Sequence, residues 1–227
     1  WLIRNDERKY TRKAAEVITV SEGIASLLMQ HYGIPKPMVV YNAPKTNMPM
    51  TFKPSLTIRE SLKLDEKAFI VVYVGFVTVT RCLERIVEAL SMTQNVHFAF
   101  VGPQYQPMVD TLHDMAKAMN KSEYFHILPA VPYNEVTHFI STANSGIIIL
   151  DNLCKSYQNA MPNKLFETLC AGLPMIISNQ AEMQALITKH YIGISINNNT
   201  AEEIANATQK MQQNIKTYTP NQEKAQQ

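Results

Sequence analysis

Apolar strands alternating with amphipathic helices predict an α/β protein: a doubly wound, Rossmann-like parallel sheet with helices on both faces. Three observations carry this prediction. From Ala68 onward, short runs such as FIVVYVG, VHFAFVG and SGIIIL are apolar throughout, as strands buried on both faces are. Between them lie segments with helical spacing, such as RCLERIVEALSM, where Leu83, Ile86, Val87 and Leu90 share one face. Glycine or proline then marks most of the joins. Right-handed crossovers would bring the C-terminal ends of all the strands to one edge, where sheets of this kind bind ligands.

The elements follow in order. DERKYTRKAA is polar and basic with helical spacing. Val17 to Val20 reads as a short buried strand. Ser21 is a good N-cap, Ile24, Leu27, Leu28 and His31 recur at helical spacing, and Gly33 with Pro35 stops that helix. MVVYNAP is a short strand running into a turn. Residues 45–66 hold two prolines and few large apolar side chains, so they read as a linker between two domains. The regular alternation then begins. Its helices are RCLERIVEALSM, PMVDTLHDMAKAM, NEVTHFISTA, PNKLFETLCAG, AEMQALITKH and TAEEIANATQKMQQN, and its later strands are FHILPA, LPMIIS and ISINN. The polar tail TYTPNQEKAQQ reads as loose at its end. There is no internal repeat.

The bulk composition excludes several classes. The 227 residues suffice for one large domain, or one domain and part of another. A formal net charge of +2 is too small to argue for nucleic acid. Three cysteines without a CxxC pair fit a reducing compartment and argue against a disulfide framework or a zinc site. No apolar run approaches the ~18 residues of a membrane-spanning helix. The chain begins at Trp1 without a Met or a signal peptide, which reads as a piece of a longer protein.

Three strand-to-helix turns would lie on the ligand edge. In VYVGFVTVTRCLERI, Gly75 ends a strand and allows close backbone approach, and Arg81 stands near the next helix start, where an anion would also meet the helix dipole. From this spacing alone, the bland reading is a plain turn glycine and a solvated arginine. In HILPAVPYNEV, Pro129, Ala130 and Val131 form a rigid segment whose N–H and C=O groups could meet a base edge, or a simple loop. In SYQNAMPNKLFETLCAGLPMIIS, Pro162 fits the first helical position. The N–H groups of Asn163, Lys164 and Leu165 would then point outward as an anion site, with Lys164 adding a charge suited to phosphate. Glu167 could accept two hydrogen bonds from a ribose diol. The alternative is helix punctuation, since a glutamate near a helix start stabilises by ~0.3–1 kcal/mol.

Other chemistries lack their signatures. GxGxxG and GxxxxGK[ST] are absent, and so are Asp-x-Asp and HExxH. The six histidines are scattered, and none lies in a pattern that suggests a triad.

In order and in these motifs the chain resembles the C-terminal half of a GT-B-fold glycosyltransferase of family 4, the glycosyl transferases group 1. AEVITVSEGI and VVYNAP resemble the end of that family's N-terminal, acceptor-binding domain and its crossover. VVYVGFVTVTRCLERIVEAL, HFAFVGP and the HILPAVPYNEVTHFISTANSGIIIL block resemble the second domain in order. PNKLFETLCAGLPMIIS resembles the donor-binding motif. The resemblance implies a remnant of the N-terminal domain at 1–45 and a nucleotide-sugar-binding domain at 46–227. It implies that Glu167 holds the donor ribose, that Arg81, Asn163, Lys164 and Leu165 meet the diphosphate, that Gly75 lets the ligand approach, and that the Pro129, Ala130 and Val131 backbone meets the base.

The implied reaction is sugar transfer with retention, from a nucleotide sugar to a saccharide or lipid-linked acceptor, without cofactor or metal. The family's first glutamate is Asn159 here, Phe76 stands where a basic residue often follows the first glycine, and Cys82 replaces a glycine. With most of one domain missing, the chain is expected to bind nucleotide weakly and not to turn over. Two other readings stay open: a GT-B-fold sugar-nucleotide 2-epimerase and a non-catalytic partner subunit. The resemblance also implies a cytoplasmic protein working at the inner face of a membrane, where the basic run RNDERKYTRK is either a contact or a solvated helix face.

Overall fold

The computed structural model describes residues 2–44, 56–151 and 154–218. The N-terminal segment contains helix α1 (Leu2–Thr11), strand β1 (Ile18–Thr19), helix α2 (Glu22–Tyr32) and strand β2 (Met38–Val39). β1 and β2 pair in parallel. Ser21 caps α2 by accepting from the Ile24 N–H, and Gly33 ends it in the left-handed conformation at φ 63°.

The remainder is one six-stranded sheet. Its strands are β3 (Phe69–Val74), β4 (Val96–Val101), β5 (Phe125–Leu128), β6 (Ser145–Ile148), β7 (Met175–Ser178) and β8 (Gly193–Ile196). They lie in the order β5-β4-β3-β6-β7-β8, and every pair is parallel. The chain therefore moves outward from β3 through β5, then returns to the other side of β3 for β6. This reversal opens a crevice beyond the ends of β3 and β6, the switch point at which such sheets bind ligands.

The alternation of side chains along the strands builds two faces. Phe69, Val71 and Tyr73 of β3 point into a core with α4 (Leu83–Glu88), α5 (Gln106–Ala118) and α10 (Ala201–Tyr218). Ile70, Val72 and Val74 point the other way, against α3 (Ile58–Leu62) and α6 (Val136–Ile140). That second face continues under α8 (Asn163–Cys170) and α9 (Ala181–His190), where Leu165, Phe166 and Leu169 meet Met175, Ile177 and Met183. The short helix α7 (Lys155–Gln158) precedes α8.

The linker reading of 45–66 needs correction. Residues 45–55 lie outside the described residues. From Thr57 the chain is ordered by a capping box, in which Thr57 and Glu60 satisfy each other's backbone N–H groups, and it enters α3. Ile58 and Arg59 are buried there. The Arg59 guanidinium donates to the carbonyls of Asp65, Ala68 and Thr142 and to Asn144 Oδ1. This segment belongs to the domain core. α10 runs to Tyr218, past a break at Asn214, and the rest of the polar tail lies outside the described residues.

Candidate functional site

The crevice is built from the turn after β3, the segment after β6, and the start of α8. Gly75 ends β3 at φ 138°, and its N–H donates to the Val101 carbonyl at 2.9 Å. A Cβ at Gly75 would lie 3.0 Å from Lys164 Nζ and 3.2 Å from the Tyr73 hydroxyl. Gly102, after β4, has φ 151°, and a Cβ there would sit 2.1 Å from the Gly75 carbonyl oxygen. The two glycines thus let adjacent turns close on each other and on the lysine.

Lys164 reaches back from α8 so that its Nζ lies 4.0 Å from the centre of the Tyr73 ring. Burial above all, and then the neighbouring Arg81 cation, push its ammonium down to about 7 against the opposing charge of Glu167. Arg81 is half-buried, and its Nη1 donates to the Tyr157 hydroxyl at 3.4 Å. Among the described residues neither cation forms an ion pair with a carboxylate. Glu167 is 7 % exposed. Burial raises its carboxyl above the usual range, and Lys164 only partly offsets this. No described residue donates a hydrogen bond to that carboxylate. The result is a pair of close cations beside a helix start and a buried acceptor one turn further on. That arrangement suits an anionic ligand carrying hydroxyl groups.

The sequence reading of α8 shifts in two details. Pro162 is the N-cap, with ψ 151°, so the first helical residue is Asn163. The Leu165 N–H donates to the Pro162 carbonyl at 2.9 Å, so it is not an outward donor. The N–H groups of Asn163 and Lys164 remain, because no described residue accepts from them. The Asn163 side chain accepts from Asn42 Nδ2 at 2.9 Å, which ties the crossover segment to the helix. Pro129 and Ala130 are exposed just beyond β5 on the same sheet edge, and Val131 is half-buried against the second face. β5 lies two strands from β3 in the sheet.

Several neighbours escaped the sequence reading. Arg85 Nη1 and Asp151 Oδ1 pair at 2.7 Å, joining α4 to the end of β6. Asn199 donates to Asp151 Oδ1 at 3.2 Å and to the Leu150 carbonyl at 2.8 Å. Burial favours the neutral acid at Asp151, but hydrogen bonds from Asn199, Arg85 and Cys82 outweigh it and hold the carboxyl below its ordinary value. Cys82 is the left-handed N-cap of α4 at φ 56°, and its thiol is pushed up to about 12 by burial and by Asp151. The cost of that backbone conformation in a non-glycine residue falls next to the crevice. These residues brace the Arg81 loop. Only the glycine after β4 had a local signal, since GP there parallels GF after β3.

On the far side of α8, the N-terminal segment meets the main domain. Glu182 of α9 accepts from the N–H groups of Glu22, at 3.0 Å, and Gly23, so it caps α2 across the join. Tyr41 packs on Phe166 with ring centres 5.4 Å apart.

A doubly wound parallel sheet with a crevice at its switch point defines a Rossmann-like α/β domain. Residues 55–227 match the glycosyl transferases group 1 family, and the chain belongs to that family. No curated protein sequence matches the chain. Among solved structures, it is similar to sucrose-phosphate synthase from Thermosynechococcus elongatus, at 17 % identity and a TM-score of 0.78 over 98 % of this chain and 55 % of that one. It is similar to HepE of Anabaena in complex with UDP and glucose, at 14 % identity and a TM-score of 0.78 over 98 % of this chain and 60 % of that one. It is also similar to WaaG, a glycosyltransferase involved in lipopolysaccharide biosynthesis, at 14 % identity and a TM-score of 0.68 over 93 % of this chain and 57 % of that one. The fold is therefore that of GT-B glycosyltransferases, and the chain spans little more than half the length of these structures.

Proposed function

We propose that this chain supplies the donor-binding half of a retaining glycosyltransferase that uses a nucleotide sugar. The observation that carries the reading is the pair Lys164 and Arg81, two close cations without a carboxylate ion pair among the described residues, next to the start of α8. A nucleoside diphosphate supplies the missing negative charge. Lys164, Arg81 and the N–H groups of Asn163 and Lys164 hold it and stabilise the charge that develops on the departing diphosphate. Glu167 accepts from the ribose diol. The backbone of Pro129, Ala130 and Val131 meets the base. Since these groups supply the charge, neither a metal nor a further cofactor is required.

Residues 1–45 form the end of the acceptor domain, and 46–227 the donor domain. β1 and β2 support this division: they are two residues each, and Ile18, Met38 and Val40 are exposed beside them, as at the margin of a larger parallel sheet. The acceptor is a saccharide or lipid-linked saccharide, and the transferred group is a hexose. No helix among the described residues is long and apolar enough to cross a membrane. A cytoplasmic enzyme touching the membrane peripherally accords with a lipid-linked acceptor.

A second reading, a partner subunit that binds donor without transferring sugar, draws support from Asn159, which stands where the family's first glutamate is expected. The test is calorimetric titration of the chain with UDP, GDP and ADP, alongside Glu167→Ala. UDP is the first choice because HepE was crystallised with UDP and with UDP-glucose. Binding of one nucleotide, lost in Glu167→Ala, is the expected result. A folded chain that binds none of the three would overturn the donor-site reading for this chain. Donor binding with no sugar transfer by the full-length protein would favour the subunit reading.

A further inference from the structure

Tyr73 is the penultimate residue of β3 and is 1 % exposed. Its ring meets Phe100 at 5.3 Å between centres, and Lys164 Nζ lies 4.0 Å from its centroid. Its hydroxyl donates to the Phe76 carbonyl at 3.1 Å, across the Gly75 turn. One buried side chain thus touches both walls of the crevice, the turn after β3 and the first turn of α8. The hydrogen-bond partner is informative. A buried tyrosine must satisfy its hydroxyl, and here it does so on the backbone of the turn that brings ligand close. The cation is also informative. A lysine amine ends a flexible four-carbon stem, and with no carboxylate ion pair among the described residues the ring face holds it in place. Gly75 leaves no spare room, since a Cβ there would press on both Lys164 Nζ and the Tyr73 hydroxyl.

We propose that Tyr73 is a positioning residue of the donor site: its ring aims the Lys164 amine into the crevice and its hydroxyl fixes the Gly75–Phe76 turn. The inference rests on Lys164 being a diphosphate ligand. A purely structural tyrosine would support the core equally well but would have no reason to shape the behaviour of the lysine.

The experiment compares the wild-type chain, Tyr73→Phe and Tyr73→Leu by NMR of the Lys164 ε-methylene group, assigned by its loss in Lys164→Met, and by calorimetry with UDP. In the wild type and in Tyr73→Phe, the ring current should move the ε-methylene protons upfield. Tyr73→Leu should return them to their ordinary position and weaken UDP by about fivefold, the scale of one cation–π contact. An ordinary ε-methylene shift in the wild type, or an unchanged UDP affinity in folded Tyr73→Leu, would overturn the positioning role. If Tyr73→Leu does not fold, the wild-type shift and its further movement on adding UDP decide: no movement overturns the proposal. Failure of the underlying reading looks different. There the ring-current shift is present but UDP does not bind the wild type, and the positioning role falls with the donor site.

Discussion

Lys164→Met separates the cost of holding a lysine in the crevice from its use. The amine falls from its ordinary 10.5 to about 7 on folding. The unfolded chain therefore binds more protons than the folded one between those values, and stability rises with pH from about 7 to 10.5. At ~1.36 kcal/mol per pH unit the ceiling on this effect is about 4–5 kcal/mol. The side chain keeps some contact with water and gains the Tyr73 ring, so about 2 kcal/mol is the expected penalty at pH 7. Methionine keeps most of the length without the charge. Lys164→Met should raise stability at pH 7 by about 1–2 kcal/mol, or ~2–8 °C in Tm for a domain of this size, and flatten the rise above pH 7.

Ligand binding should move the other way. A diphosphate favours the protonated amine, so wild-type affinity for UDP should fall above pH 7, by up to about tenfold per pH unit as the protonated fraction shrinks. Lys164→Met should bind at least about tenfold more weakly at pH 7 and lose that slope. Thermal melts and calorimetry at pH 7, 8 and 9 measure both effects. A variant that melts below the wild type at pH 7, or a wild-type affinity equal at pH 7 and 9, would refute the reasoning.

Two further perturbations test the frame around the site. Gly102→Ala would press a Cβ within 2.1 Å of the Gly75 carbonyl at a φ of 151°, and neither backbone can yield. It should cost about 3 kcal/mol or more, read as a fall in denaturation midpoint, and an alanine tolerated there would contradict the close approach of the two turns. On β4 and β5, His97 Nδ1 and His126 Nε2 lie 3.0 Å apart, so they share one proton. Burial and the neighbouring His97 push His126 down to about 4, and burial lowers His97 too. The unfolded histidines protonate below about 6.5, so their contribution is complete above that pH and is lost as pH falls toward 4. A loss of roughly 2 kcal/mol should be seen by urea denaturation between pH 7 and 4.5, and His126→Phe should shrink it.

The sheet was legible because each of its strands is a short apolar run between helical segments, and no tertiary contact is needed to read that. Even the span Ala181–His190 of α9 follows from its own spacing. Readings that depended on a partner far along the chain failed. Residues 56–66 look like linker because they follow Pro49 and Pro54 and are largely polar, which are local features, whereas Arg59 is buried by carbonyls up to Thr142. The capping box in Thr57-Ile58-Arg59-Glu60 was the local signal that could have corrected this. In the site, motif spacing brought Gly75, Arg81, Lys164 and Glu167 to one edge. It did not reveal that Leu165 N–H turns inward to Pro162, because one residue of uncertainty in a helix start decides which N–H groups are free. Tyr73 and the Arg85–Asp151 pair act through contacts across the sheet, which no window of sequence contains.

Asn159 ties the site to the N-terminal segment, and its identity follows from a neighbour. Its Nδ2 donates to the Lys155 carbonyl at 2.8 Å, which leaves Oδ1 facing the start of α2. A Cβ placed on Gly23 would lie 2.1 Å from Asn159 Oδ1 and 2.5 Å from Glu182 Oε1, so both oxygens crowd one point. Glu182 already supplies the negative charge at that helix start, where it accepts from the Glu22 and Gly23 N–H groups. A second carboxylate there would repel the first at short range, and asparagine is the neutral group of similar shape. Asn159→Glu should therefore destabilise the join between the N-terminal segment and the main domain by about 1 kcal/mol near neutral pH. The loss should ease as acid protonates one of the pair, and Asn159→Glu combined with Glu182→Gln should recover part of it. Denaturation of the single and double variants at pH 7 and 5 measures this coupling. If Asn159→Glu is as stable as the wild type at pH 7, Glu182 does not dictate the asparagine, and the exchange at 159 must answer to the ligand alone.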